Sequence, residues 1–500
     1  MRKLISWLGC ALLAGCTVGP NFKPPHALKA HQWNTLKHSG EAGVSELSNP
    51  DPRWWRRFHD PVLARLIADA IAGSPNLQQA ELRVVSAQQQ TAEAAAAGLP
   101  TLNGTGSFKR ESLGLKGILE SQGAYAKLNQ LANGSSAGNL LPGAGTLNSL
   151  GAPTNLYQYG LSSSWELDLF GKVRRSVEAA KASAQAQAEA ANDALIMLES
   201  EVAQAYFALR AAQQAAQIQA QAVQTAQTQF ELTQSLYRRG LTSDIDAQQQ
   251  RTELLNEATR AQTYQKQIGQ ALDRINVLAG DPPGTLDAML SPPAPVPQIA
   301  GVIGIGIPST LARRRPDIRE AEAELHAATA NVGVAVADFY PDISLTGQAG
   351  FRALDASYLT NWASLFYSAG PSVSLPIFQG GKLEANLKLA KTRQVSAALN
   401  YRGTVLKALR EVEDALVAYR ADRAAETDAA QTVQAAKLAD HLAQSRYQHG
   451  LSSYLQALTS ERSLLSAQQQ LAQAKMTVAD DVVALYTALG GGWVTAQAGS

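Results

Sequence analysis

The sequence predicts an α+β membrane protein built by internal duplication, and three observations predict it. First, landmarks recur. Pro75, Glu81, Pro100 and Gly106 return 241 residues later as Pro316, Glu322, Pro341 and Gly347, and Lys172, Arg210 and Gly240-Leu241 return 210 residues later as Lys382, Arg420 and Gly450-Leu451. Second, four short runs alternate apolar and polar residues. Third, very long Ala/Gln-rich stretches of helical period are each broken once, at Tyr237-Arg238-Arg239-Gly240-Leu241-Thr242-Ser243 and at Tyr447-Gln448-His449-Gly450-Leu451-Ser452-Ser453. Glycine supplies the positive φ that ends a helix, and the Ser/Thr pair caps the next, so each break reads as the tip of a helical hairpin.

Residues 1–15 read as a secretory leader, with Arg2 and Lys3 ahead of a short apolar run from Leu4 to Leu13. That run is too short to span a bilayer as a helix. It ends Leu13-Ala14-Gly15-Cys16, which resembles a bacterial lipobox, with Cys16 the lipidated first mature residue. Residues 16–60 read as the lipidated tether, polar and irregular to about Asn49, with Trp54, Trp55 and Phe58 packing on the body. The first repeat spans 61–280. Asp60-Pro61 and Ser74-Pro75 are helix starts, and residues 62–98 are read as one helical length of 37 residues. Leu102, Gly104, Gly106 and Phe108 share one strand face; Tyr157 to Leu169 alternate likewise after a long Gly/Ala/Ser/Asn-rich loop over 111–155. Helix then runs from Lys172 to Arg239, roughly 100 Å, and returns over Ser243 to Ala279. The linker 281–308 is Pro/Gly-rich, with Gly301, Gly304 and Gly306 as loop glycines. The second repeat, 309–490, begins at Arg313-Arg314-Arg315, read as a solvated helix start. Its strands are Ile343 to Phe351 and Ser372 to Ile377. Residues 491–500 form a tail.

Composition excludes much. The formal net charge of +1 leaves no electrostatic footprint for nucleic acid. The only cysteines, Cys10 and Cys16, lie in and beside the leader, so disulfides and thiolate metal sites are not expected, and the scattered histidines lack metal spacing. Phosphate-loop, nucleophile-elbow and H-E-x-x-H motifs are missing, so no catalytic residue, enzymatic activity or cofactor is expected.

Strands of about nine to eleven residues with one apolar face suit a bilayer-crossing barrel. Four strands leave open edges, whose backbone groups lipid cannot satisfy, so the chain must oligomerise: two copies would give eight strands, three would give twelve. The helices carry few large apolar residues. Residues 204–230, with Gln213, Gln217, Gln221 and Gln224, suit the wall of a water-filled tube better than a core. The competing reading is a pore-free coiled-coil stalk, which the lack of uninterrupted apolar heptads disfavours.

Cys16-Thr17-Val18-Gly19-Pro20-Asn21-Phe22, Arg314-Arg315-Pro316-Asp317-Ile318 with Glu322 and Leu325, Phe339-Tyr340-Pro341, both Gly-Leu tips and Gln468-Gln469-Gln470-Leu471 carry a family likeness. Over nearly the whole mature chain the sequence resembles the TolC/OprM-like outer-membrane factors, in their NodT-type lipoprotein branch. The resemblance implies a homotrimer, a twelve-stranded transmembrane β-barrel in the Gram-negative outer membrane and a periplasmic α-barrel made by the long hairpins. It implies diacylglycerol and a fatty acyl chain on Cys16. It implies export of small molecules received from an inner-membrane pump, commonly of the resistance-nodulation-division class, through a periplasmic adaptor that meets the tips at Gly240, Leu241, Gly450 and Leu451. A protein-secretion exit duct is the alternative within the same class. Residues after the tip glycines would line the gate: Tyr454, Leu455 and Thr459 in the second repeat, Asp244 and Asp246 in the first. The two aspartates also suit helix N-terminal charge compensation.

Overall fold

The computed structural model describes residues 17–25, 32–39, 43–46, 48–112, 121, 123, 126–127, 153–299 and 301–493. In chain order the elements are α1 (Asn34–Ser39), β1 (Val44–Ser45), a 3₁₀ turn (Trp54–Phe58), α2 (Pro61–Gly73), α3 (Pro75–Ala96), β2 (Thr101–Glu111), β3 (Thr154–Glu166), α4 (Lys172–Arg238), α5 (Asp244–Leu278) and α6 (Asp287–Leu290). There follow β4 (Ile303–Gly304), α7 (Leu311–Arg314), α8 (Pro316–Ala337), β5 (Asp342–Ala353), β6 (Leu365–Ser374), α9 (Lys382–Gln448) and α10 (Tyr454–Ala488). Duplication shows in the lengths: α3 and α8 have 22 residues each, α4 and α9 have 67, and α5 and α10 have 35.

The chain divides into two compact units. One holds the long strands, in the order β2-β3-β5-β6 and antiparallel throughout, so the two repeats join at β3 and β5. The register gathers the apolar positions on one face. Leu102 opposes Ser163, Leu161 opposes Ala349, Tyr159 opposes Phe351 and Ala349 opposes Tyr367, while Asn103, Ser162, Gln348 and Ser368 line up on the other face. Tyr159 and Phe351 stack with centroids 5.4 Å apart. Gly160 and Gly350 face each other where β3 crosses β5. A Cβ at Gly350 would sit 2.2 Å from the Tyr159 carbonyl oxygen, so only glycine fits.

The second unit is helical, and its core shows why the chain turns where it does. Trp54 and Phe58 are buried, Trp54 stacked on Tyr486 at 5.8 Å and Phe58 packed on Phe207 at 5.0 Å. Leu63, Leu66 and Ile67 of α2 join them, one helical face at i, i+3, i+4. Each such side chain contributes about 1.5–3 kcal/mol when fully buried. Asp60 caps α2, accepting from the backbone N–H of Val62 and Leu63. Arg210 and Gln213 donate to the Leu290 carbonyl, which pins the end of α6 to α4.

Several expectations need correction. The 37-residue helix over 62–98 is two helices parted at Ser74, because Pro75 lacks an N–H and holds Ser74 extended. The fourth strand lies earlier than the alternation suggests, at Leu365–Ser374. Leu365-Phe366-Tyr367 hides its period, and its ladder ends where Ser374 pairs with Asp342, ahead of Pro376. β3 likewise ends at Glu166, short of Leu169. Residues 202–212 of α4 are core, with Val202, Tyr206, Phe207 and Leu209 buried and Gln213 hydrogen-bonded inside; Gln217 and Gln221 are exposed. The tether and linker are not wholly irregular, since β1 pairs with β4 in parallel and Gly304 packs against Ser48 and Asn49. Arg315 is not solvated: it is 7% exposed, bridging Asp317 and Glu411 at 2.7 Å each and donating to the Ala488 carbonyl. Among the described residues no helix is long and apolar enough to cross a membrane.

Candidate functional site

Both tips share one backbone. Gly240 and Gly450 each have φ +72, in the left-handed region. In the first tip the N–H of Gly240 donates to the Tyr237 carbonyl at 2.9 Å and that of Leu241 to the Leu236 carbonyl at 3.0 Å. In the second, Gly450 donates to Tyr447 at 2.9 Å and Leu451 to Arg446 at 2.8 Å. These paired bonds satisfy the last carbonyls of α4 and α9 and turn the chain back. Leu241 and Leu451 are left 70% and 69% exposed.

Side chains then diverge. Ser243 caps α5 in a reciprocal box: its hydroxyl accepts from the Asp246 N–H, and the Asp246 carboxylate accepts from the Ser243 N–H. Thr242 and Ser243 hydroxyls also donate to that carboxylate, both at 2.7 Å. The Ser243 and Thr242 hydroxyls, with the Ser243 N–H, hold its pKa below the ordinary value. Asp246 is thus engaged in its own turn, while Asp244 accepts only a 3.4 Å bond from Gln248. Ser453 caps α10, but Gln456 stands where Asp246 would and sends no bond back to the Ser453 backbone. Tyr454 packs on Tyr447 with centroids 4.8 Å apart, Leu455 is 52% exposed, and the Thr459 hydroxyl donates to the Leu455 carbonyl within α10. Burial, then the charge of Glu461, raises the Tyr454 phenol pKa.

The structure also places residues that sequence reasoning missed. Contacts tie the first hairpin to the second: Thr225 donates to Glu461 at 3.0 Å, Gln469 to Gln219 at 2.9 Å, and Arg462 pairs with Glu253. Gln219 in turn donates to the Glu257 carboxylate at 2.6 Å. Thr459, Arg462, Glu257 and Arg260 line a cavity of about 580 Å³ beside these ties. The Arg462–Glu253 pair is partly exposed, so it contributes at most about 1 kcal/mol. No local pattern marks Gln219, Thr225, Glu253, Glu461, Arg462 or Gln469, because each has a partner in the other repeat. Cys16 lies outside the described residues. Among the described residues no group of three or more His, Cys, Asp or Glu is arranged to hold a metal.

Comparison with known proteins matches this architecture. The family described as Outer membrane efflux protein matches residues 66–281 and 307–491. The chain belongs to that family. It is 32% identical over 502 residues to the solvent efflux pump outer membrane protein SrpC of Pseudomonas putida, covering 99% of each chain. It is 31% identical to the cation efflux system protein CusC of Escherichia coli O6:H1, over 98% of this chain and 99% of that one. Among solved structures, the outer-membrane channel OprN superimposes with a TM-score of 0.80 at 31% identity, covering 96% of this chain and 100% of that one. This member of the family is an efflux channel component of the outer membrane.

Proposed function

We propose that three copies of the chain form a single export duct. Their sheets close into a twelve-stranded barrel, and their helices form a tube whose six tips meet a periplasmic adaptor. The adaptor links the duct to an inner-membrane pump of the resistance-nodulation-division class, which supplies the energy. Small toxic molecules are the cargo, in keeping with the solvent and cation efflux named for SrpC and CusC. Lipidated Cys16 anchors each copy in the outer membrane. Leu455, with Tyr454 and Thr459, shuts the pore at the second tips; Asp244 adds negative charge at the first.

The observation that carries this reading is the sheet. Leu102, Phe108, Leu161, Tyr367 and Val373 are exposed on one face, and β2 and β6 each have a neighbour on one side only. Lipid tolerates an apolar face but not an open edge, so β2 must meet β6 of another copy. Cysteines scanned along Asn103 to Ser107 and Ser368 to Ser372 test it on a non-reducing gel. The expected product is a closed species of three chains. Monomers alone, or closure at two or four chains, would contradict it. Cysteines at Leu241 and Leu451 should cross-link to the adaptor in cells.

A further inference from the structure

The duplication fixes more than the lengths of the elements. Moving each β2 residue on by 241 and each β3 residue on by 210, the offsets of the sequence repeat, reproduces the β5–β6 register residue for residue. Thr101 opposite Ser164 becomes Asp342 opposite Ser374, Gly104 opposite Leu161 becomes Leu345 opposite Pro371, and Phe108 opposite Tyr157 becomes Ala349 opposite Tyr367. β6 is therefore the counterpart of β3, and β2 the counterpart of β5. Inside the chain β3 also pairs with β5, and this is the inner seam between the repeats. The matching strands, β6 and β2, lie at the two open edges of the sheet.

The residues exposed at those edges are the ones that the inner seam covers. Just past the β3 strand the Leu167 N–H donates to the Ile343 carbonyl at 2.8 Å, and both side chains are half-buried. Their counterparts Ile377 and Leu102 are 90% and 69% exposed. Gly160 meets Gly350 so closely that a Cβ on Gly160 would lie 2.5 Å from the Ala349 carbonyl oxygen. Gly370 keeps the glycine at the equivalent place, yet a Cβ there would meet nothing within 4 Å.

We propose that β6 of one copy pairs with β2 of the next in the register of the inner seam. The pairing rests on edge-to-edge closure of the copies and adds which residues meet. Ser372 faces Ser107 of the next copy, as Ser162 faces Gln348 inside the chain. Ser374 faces Thr105 as Ser164 faces Thr346, Val373 faces Gly106 as Ser163 faces Gly347, and Ser368 faces Glu111 as Gln158 faces Arg352. Ile377 extends the strand, and its N–H donates to the Leu102 carbonyl of the next copy. A slip of one residue would set the apolar face of β6 beside the polar face of β2. A slip of two would give the inner and outer seams different staggers, against the common tilt that a closed barrel imposes.

Cysteine pairs in the full chain, oxidised in outer membranes, read this register. Ser107→Cys with Ser372→Cys should join copies about tenfold faster than Thr105→Cys or Lys109→Cys with Ser372→Cys, because opposed Cβ atoms lie about 5 Å apart and those displaced by two residues about 7–8 Å, beyond disulfide reach. Thr105→Cys with Ser374→Cys, a second opposed pair, should link as fast as the first. Faster linking of Ser372→Cys by Thr105→Cys or Lys109→Cys overturns the register and leaves closure between copies standing. Equal linking by opposed and displaced pairs, or linking by none in an assembly whose native mass is three chains, overturns the register as well. An assembly of another size overturns the three-copy duct, while the fastest pair still decides the register.

Discussion

The two tips have the same backbone and different chemistry. Each has a glycine at φ +72, the same pair of closing bonds and a serine cap. After that, the first continues Asp244-Ile245-Asp246 and the second Tyr454-Leu455-Gln456. The first locks its acid into the cap; the second packs one ring on another; each leaves an apolar residue exposed at the same place, Ile245 in the first and Leu455 in the second. The shared turn needs only glycine and serine, so the residues after it differ without disturbing it.

Three measurements separate what the tips share from what they do not. Gly240→Ala and Gly450→Ala should each cost about 1–2 kcal/mol, because an L-residue is strained at positive φ. Equal losses in thermal melting would support the shared backbone, and a cost in one tip alone would break it. Ser243→Ala should cost about 1 kcal/mol, and Ser453→Ala less, because only Ser243 belongs to a reciprocal box. The reverse order would refute the difference in caps. The smallest effect is in acid. The folded Asp246 value is depressed, so its contribution is present above the ordinary 3.8 and is lost as pH falls below it. Exchange of residues 240–250 should therefore quicken below about pH 4 beyond the intrinsic rate, while residues 450–460 stay unchanged.

Much of this was legible because it is local. Period-two alternation placed β2 and β5, and glycine followed by serine marked both tips. Asp60-Pro61 announced α2, and the aromatic cluster at Trp54 is buried as its composition suggested. What escaped depends on distant partners. Three successive arginines look solvated until Glu411 and the Ala488 carbonyl, 96 and 173 residues away, close around Arg315. Arg462 and Glu253 stand 209 residues apart, and no spacing rule connects them. The start of β6 is hidden in the sequence because three consecutive large apolar residues there blur the alternation.

The division of labour between the tips is tested most directly by single-channel conductance in planar bilayers, with Leu455→Ala compared against Ile245→Ala, the equivalent position of the first tip. Burying a leucine in a closed ring stabilises that ring by about 1.5–3 kcal/mol, so losing it should raise the open-to-closed ratio about tenfold or more. Leu455→Ala should open the channel and Ile245→Ala should leave it at the wild-type level. Equal opening by both variants, or by neither, would contradict it.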